Sequence, residues 1–518
     1  MLKYKYISLL LVIATALSGC NLDTDDDNKM PGDKFWAGTQ ANADAFLLSI
    51  YQNLRKATTS NGYFFYTGDL RCAPVVGVTN DYKYLLSNDL KTYKSKMDKN
   101  EGGTSENCGA IYNWKQMYQV IQSANIMIEE VSRIGGITSE EVEHYRAECR
   151  FLRSLSYFFL VRIFGDVPYY TEAYYAKVLP RTNKATVLRN CLEDLQSLLD
   201  SDPNCVILPW RNGKGSQHAN RGAVLTLMMH MNMWLAFFEE NENNTLNYYN
   251  EVVRLAELDS WVTGTMYALQ DMEQISEVFK GDSNEGLFEI AQNVSTGEIF
   301  NTSNMWCTNV VYSVLSKTAP TYTYSKVFLT KLYPEEDTDL RKSYWFKNLY
   351  PSLEPDETTA PKVEIIKMLN SDSYKSTIVP NAGNYIVFRL ADAILLYAEA
   401  LNKIGRNDEA RTQVNRIRER AGATLFEADG NLDADIYWER VRELMGEGHY
   451  FFDLVRTKKI VDVDFATFNG GTDIDGTTIA ESGFRETMSN IKQGAWTWPI
   501  YRGALDNNSY ISKNMYWE

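Results

Sequence analysis

The chain has 518 residues, 44% of them hydrophobic, and it carries a formal net charge of −15 at pH 7. This hydrophobic share is enough for a large buried core, which excludes extensive disorder. The negative charge disfavours nucleic acids and other phosphate-rich ligands, because the protein as a whole would repel them.

The amino terminus predicts an export signal followed by a lipid anchor. Lys3 and Lys5 precede an apolar run over residues 7–17, which is the pattern of a signal peptide. The four residues that end in Cys20 resemble a lipobox, so we expect residues 1–19 to be removed and Cys20 to carry the lipid (palmitate) anchor. A plain signal peptide with a chance cysteine is the alternative. Residues 20–34, which include an acidic run, are expected to tether the folded body to the lipid.

Helical periodicity dominates the body of the chain. Residues 111–131 form one amphipathic stripe, and a helix apolar on two faces follows. Thr138 and Glu141 have the spacing of a capping box at its start, and Gly165 ends it. Further helical stretches cover the following ranges: 187–199, 221–238, 248–258, 389–401 and 408–421. Because one helical hairpin cannot bury its own apolar face, we expect several hairpins to stack.

Four stretches resemble, in order, motifs of the SusD/RagB family of nutrient-binding lipoproteins. Residues 147–168 read AECRFLRSLSYFFLVRIFGDVP and match its signature helix almost throughout. Residues 215–223, 439–456 and 498–516 match three further motifs. The resemblance implies a mainly α-helical fold of four tetratricopeptide-like hairpins packed against an irregular, loop-rich half. It implies a single domain over residues 35–518, with helical repeats at about 110–258 and 386–457.

Two irregular segments, residues 58–108 and 259–385, are expected to form the ligand face, because loops on a rigid scaffold usually carry binding groups. Tyrosines outnumber phenylalanines in the chain by 33 to 22, and a ring with a hydroxyl edge suits a wet surface that binds sugars. The predicted stacking residues are Trp306 and, as weaker candidates, Tyr82 and Tyr84. Neighbouring polar side chains are expected to bond the ligand hydroxyls: Asn80, Asp81 and Asn304.

Catalysis is not predicted from the sequence. It contains four histidines, with neither a zinc-protease H-E-x-x-H motif nor a G-x-S-x-G nucleophile elbow. The alternating acids and arginines of residues 439–456 fit a buried ion-pair network better than a catalytic site. Surface glycoside hydrolysis stays as a remote alternative, because any two carboxylates can serve it. No metal site and no cofactor are predicted.

The family resemblance implies a cell-surface protein of the outer membrane that binds oligosaccharides. It would deliver them to a SusC-like TonB-dependent transporter, its expected partner together with the membrane. An oligopeptide ligand, as in the RagB branch, is the alternative.

Overall fold

The computed structural model describes the following residues: 32–59, 62–76, 82–99, 111, 113–211, 215–292, 323–350, 363–368, 383–468, 471–472, 478–479, 482–483 and 486–518. The fold is mainly α-helical, as predicted. Within the described residues, no helix is both long and apolar enough to cross a membrane.

The α-helices, numbered α1 to α19 in chain order, are Gly32–Trp36, Gln40–Ala57, Lys83–Leu86, Leu90–Lys99, Lys115–Glu130, Ser139–Phe164, Lys184–Ser201, Arg221–Phe238, Glu242–Glu257, Ile275–Lys280, Lys326–Leu332, Arg341–Tyr344, Leu390–Lys403, Asn407–Arg420, Leu432–Glu443, Tyr450–Arg456, Val463–Ala466, Met488–Gln493 and Arg502–Asn507. The strands, β1 to β10, are Val75–Val76, Gly286–Ile290, Thr323–Tyr324, Phe346–Lys347, Glu364–Ile365, Tyr385–Arg389, Thr467–Phe468, Gly471–Thr472, Thr478–Ile479 and Ser482–Gly483. A π-helix covers Phe65–Asp69.

The long helices pack one on the next in a continuous series. Helix α2 packs on α5, α5 on α6, α6 on α7, α7 on α8, and α8 on α9. Helix α9 then packs on α13, which contacts both α14 and α15. This order places the two predicted repeat regions in one stack, although the segment between α9 and α13 separates them in sequence.

Helix α6 is the central helix that the sequence predicts. The N–H of Glu141 donates to Thr138 Oγ1 at 3.1 Å, and the N–H of Thr138 donates to Glu141 Oε2 at 2.7 Å, which completes the predicted capping box. From Phe151 to Phe164 every residue is buried. Gly165, with φ of +72°, ends the helix in a conformation that few side chains tolerate.

An antiparallel pair of strands joins the loop-rich half to the helical stack. Strand β2 pairs with β6, with Gly286 opposite Arg389 and Ile290 opposite Tyr385. Helix α13 follows β6 without a loop. The pair therefore anchors the segment between α9 and α13 directly on the second group of stacked helices.

The expectation of long loops over residues 58–108 is wrong for its described parts, which contain the π-helix, β1, α3 and α4. The aromatic residues of this region explain the difference. Tyr63 and Phe64 pack against Phe159 of α6, at ring distances of 5.4 and 5.6 Å, and Phe64 stacks on Tyr385 at 4.3 Å. Burial against α6 orders a segment whose local composition resembles a loop.

The described cysteines are free thiols: Cys72, Cys149, Cys191 and Cys205. Cys149 and Cys191 are buried, as expected of small apolar core residues.

Candidate functional site

Most of the predicted site lies outside the described residues. This holds for the predicted anchor Cys20 and for four predicted ligand-binding residues: Asn80, Asp81, Asn304 and Trp306. Their roles stay predictions.

Tyr82 does not fit its predicted role. Its side chain is 1% exposed, and its ring lies 5.1 Å from that of Tyr66 and 6.4 Å from that of Tyr93. The Tyr66 hydroxyl donates to the Tyr82 hydroxyl at 3.1 Å. A ring so enclosed has no face for a sugar, so Tyr82 is a core residue.

Tyr84 is partly exposed, and Lys83 Nζ lies 5.3 Å from its ring centre. It is the one predicted stacking residue in the described part of the chain that keeps access to solvent. Other aromatics expected on the ligand face are buried: Tyr63, Phe64, Phe65, Tyr66 and Tyr324.

A groove of about 1180 Å³ opens between the carboxyl end of α8, the start of α9, helix α18 and the chain terminus. Phe238 and the buried Trp496 contribute aromatic surface, and Gln493 and Asn514 contribute amides. Both charge signs line it: Arg181, Lys184, Lys458, Lys492, Lys513, Asp166, Glu239, Glu240 and Glu242. The volume is large enough for a ligand of several sugar rings. Sequence reasoning missed this groove, because its lining comes from segments far apart in the chain.

An ion pair spans part of this groove. Lys492 Nζ lies 2.7 Å from Glu240 Oε1, with both side chains more than half exposed. Lys184 Nζ lies 3.7 Å from Asp166 and 5.3 Å from the Phe238 ring centre. Exposed pairs of this kind contribute little to stability, so a polar ligand can displace them at low cost.

The charged segment at residues 439–456 is the buried ion-pair network that the sequence predicts. Arg389 lies at its centre, with Nη1 2.6 Å from Glu285 and 2.7 Å from Glu443, and Nε 2.7 Å from Glu447. Lys367 Nζ lies 2.5 Å from Glu447. Burial alone would raise the pKa of Glu447, but Arg389 and Lys367 hold it below its ordinary value.

The same pattern repeats along α15 and α16. Arg341 pairs with Glu439 at 2.7 Å, and Arg440 pairs with Asp453 at 3.0 Å. Burial opposes ionisation of Glu439 and Asp453, yet the neighbouring arginines lower both pKa values to about 2. Carboxylates held ionised and paired in this way are not poised to transfer protons.

A histidine and carboxylate cluster lies beside this network. His230 Nε2 is 2.6 Å from Asp392 Oδ2, and the His230 and His449 ring centres are 5.8 Å apart. One ligand atom from each of the three residues lies within 4.8 Å of the others. Burial lowers the pKa of His449 to about 4 and also lowers the pKa of His230, against the pull of Asp392. Burial therefore favours the neutral form of both rings.

A second cluster surrounds Glu148 of α6. His144 Nε2 and His218 Nδ1 lie 3.1 and 2.8 Å from its carboxylate, and the Tyr51 hydroxyl donates to it. Burial would raise the pKa of Glu148, but these partners hold it at about 2. The cluster ties α2 and the segment before α8 to the central helix.

Two family models together match most of the chain. One, described as "Starch-binding associating with outer membrane", matches residues 22–226, and the other, described as "SusD family", matches residues 226–517.

Individual relatives and solved structures also match nearly the whole chain. A crystal structure of a SusD homolog from Bacteroides thetaiotaomicron is 43% identical, with a TM-score of 0.81 over 93% of this chain and 100% of that one. SusD-like protein P38 of Formosa agariphila is 26% identical over 99% of this chain and 100% of its own. A putative sugar binding protein from Bacteroides vulgatus is 18% identical, with a TM-score of 0.65 over 93% of this chain and 99% of that one, and so shares the fold.

Proposed function

Because the chain belongs to the SusD family, we propose that it is a glycan-binding lipoprotein of the cell surface. It captures oligosaccharides and delivers them to a SusC-like TonB-dependent transporter. The observation that carries this proposal is the match to the family over nearly the whole chain, including 43% identity to a solved SusD homolog. The family description places such proteins in association with the outer membrane and with starch.

The carboxylates of residues 439–456 fit ion pairing better than hydrolysis. A glycosidase needs one carboxyl group that keeps its proton near neutral pH and a second one across the sugar from it. In the carboxylate-rich segment, Glu439 and Asp453 instead have depressed pKa values and are paired with arginines. This segment therefore stabilises the fold and leaves ligand capture to the surface.

The ligand-binding test compares Trp306→Ala with Tyr510→Ala, which removes a 64% exposed aromatic ring elsewhere. Calorimetry with starch-derived oligosaccharides should show about 2 kcal/mol weaker binding for Trp306→Ala, roughly thirtyfold in Kd. The melting temperature should stay constant, because a stacking ring at the surface supports no core. Tyr510→Ala should bind like the unchanged protein.

Other outcomes of this titration identify the alternatives. Binding of casein-derived peptides but of none of a panel of oligosaccharides would replace the glycan with an oligopeptide ligand. A large fall in melting temperature for Trp306→Ala would make Trp306 a core residue. If Lys184→Ala weakens binding and Trp306→Ala does not, the ligand occupies the groove beside α18.

The anchoring part of the proposal depends on Cys20. Cys20→Ala removes the predicted site of acylation. It should move the protein from the membrane pellet to soluble fractions, because firm anchoring depends on several acyl chains. Ser18→Ala is the matched control and should leave the protein in the pellet, exposed to protease on intact cells. Retention of Cys20→Ala in the pellet, still accessible to protease on intact cells, would contradict the lipid anchor.

The absence of catalysis is tested on the same ligand. Prolonged incubation with purified protein should leave the chain lengths of the bound oligosaccharide unchanged. Shorter products that form in proportion to protein concentration would make the protein an enzyme.

A further inference from the structure

Three elements far apart in the sequence place metal-ligating side chains at one point of the core. His230 comes from the middle of α8, Asp392 from the first turn of α13, and His449 from the residue before α16. All three side chains are buried, and one ligand atom of each lies within 4.8 Å of the other two. Two imidazoles and one carboxylate are a ligand set that zinc and related divalent metals accept.

The distances suit a tetrahedral ion after small shifts. Zinc bonds of about 2.0–2.2 Å place neighbouring ligand atoms roughly 3.3–3.6 Å apart. The present 2.6 Å between His230 Nε2 and Asp392 Oδ2 must open, and the His449 nitrogen must approach from at most 4.8 Å. The 5.8 Å between the two ring centres is compatible with both rings bonding one ion.

Arg440 orients the carboxylate of Asp392. Arg440 donates to the other oxygen of Asp392, Oδ1, at 2.9 Å, which leaves Oδ2 for a metal. Arg440 also pairs with Asp453 at 3.0 Å. Such an outer hydrogen bond commonly fixes the orientation of a metal-binding carboxylate.

The other two cations nearby are also engaged. Arg456 is paired with Glu399 at 2.6 Å, and the guanidinium of Arg162 lies 4.2–5.0 Å from the ring centres of three phenylalanines. With the ligand Asp392 included, three carboxylates balance three arginines around the cluster.

A small cavity borders His449. It holds about 10 Å³, the space of one water molecule, and Arg440, Asp453 and His449 all line it. Three protein ligands leave the fourth position of a tetrahedral ion for a water molecule. The cavity is too small for a substrate, so an ion at this point has a structural role.

We propose that His230, Asp392 and His449 bind one divalent transition-metal ion, with zinc as the best match. The ion ties α8 to α13 and to the segment that precedes α16.

The test measures metal content in protein produced in zinc-supplemented medium and purified without chelator. We expect about one zinc per chain after desalting, because a buried ion acquired during folding exchanges slowly. Protein made with cobalt should show the visible absorption of a tetrahedral Co²⁺ ion with nitrogen and oxygen ligands. His449→Asn and His230→Asn, which each remove one imidazole of the cluster, should both lose the metal and this absorption.

The matched control is His218→Asn, which removes a histidine that pairs with a different carboxylate, Glu148. It should retain the metal. Thermal unfolding of the unchanged protein, which needs no variant, should shift upward with zinc loading and not with magnesium. Clearly substoichiometric zinc in the unchanged protein, or equal zinc in His449→Asn, would overturn the proposal.

Discussion

Helix α6 and the segment from α15 to α16 are both buried, but by opposite means. In α6 the buried residues are mostly apolar, such as Phe151 and Leu155. Between Glu439 and Arg456 the buried positions include acids and arginines beside apolar side chains, and Glu439, Arg440 and Glu443 are no more than 1% exposed. The sequence distinguishes α6 clearly from the segment between α15 and α16, yet both lie in the same core.

The buried side chains of the two regions contribute to the free energy of unfolding in different ways. An apolar helix gains stability from each side chain separately, and losing one leaves a local cavity. A buried charge contributes only together with its partners, and removing one leaves an uncompensated ion in a poorly solvated site. The charged region should therefore be more sensitive to single changes and to pH than α6.

Acid should produce the largest effect. The folded protein holds the pKa of Glu439 at about 2, below the ordinary 4.5, because arginines outweigh the cost of burial. The unfolded chain therefore binds more protons in this range, and stability falls as pH drops from 4.5 towards 2. A shift of this size corresponds to roughly 3 kcal/mol for one carboxylate. Melting curves between pH 7 and pH 3 should show the fall, and Glu439→Gln should reduce its slope.

An unchanged melting temperature at pH 3 would contradict the ionised network. Added salt should not mimic acid, because buried pairs are screened far less than exposed ones.

Among the single substitutions, Arg389→Met should destabilise the protein most. It leaves Glu285, Glu443 and Glu447 without their shared cation, at a cost of about 3–5 kcal/mol in the free energy of unfolding. Denaturant titration measures it. The control Arg502→Met removes an arginine whose side chain is 79% exposed and should leave the midpoint unchanged. Equal midpoints for the two variants would contradict a role for the network in stability.

Leu155→Ala tests the apolar side of the comparison. Leu155 is fully buried in α6, and its truncation should cost about 3 kcal/mol through lost contacts and a cavity. Leu48→Ala, at a leucine that is 55% exposed in α2, is the control and should cost far less. The Leu155→Ala loss should be the same at pH 7 and pH 5, since no ionisable partner is involved. A pH-dependent loss would mean that α6 is coupled to the charged region.

Thr138→Ala should have the smallest effect. It removes the side-chain acceptor for the N–H of Glu141 at the start of α6, which typically costs about 1 kcal/mol. Thr138→Ser keeps the acceptor and should restore most of the loss. Thermal melts of the three proteins measure both steps, and a silent Thr138→Ala would show that packing alone fixes this helix start.

Much of the fold could be predicted because its signals are local. Helical periodicity located α6 and α8, and the alternation of charges indicated a buried network around Arg440 and Glu443. The site was less predictable. Tyr82 lies in a segment with the composition of a loop, but packing against Tyr66 and Tyr93 buries its ring. The burial of Tyr82 could not be predicted from the sequence, because the exposure of a ring depends on how the folded chain packs around it.

The sequence alone therefore determined the family, the helical class and the boundaries of the central helices. Motifs, helical periodicity and caps are all patterns of residues close in the chain. Only the tertiary structure decided which aromatics are surface and core, where the groove beside α18 opens, and that His230 meets Asp392 and His449. These features depend on segments brought together from distant parts of the chain. No local sequence pattern predicts such contacts, because they depend on how the whole stack of helices packs.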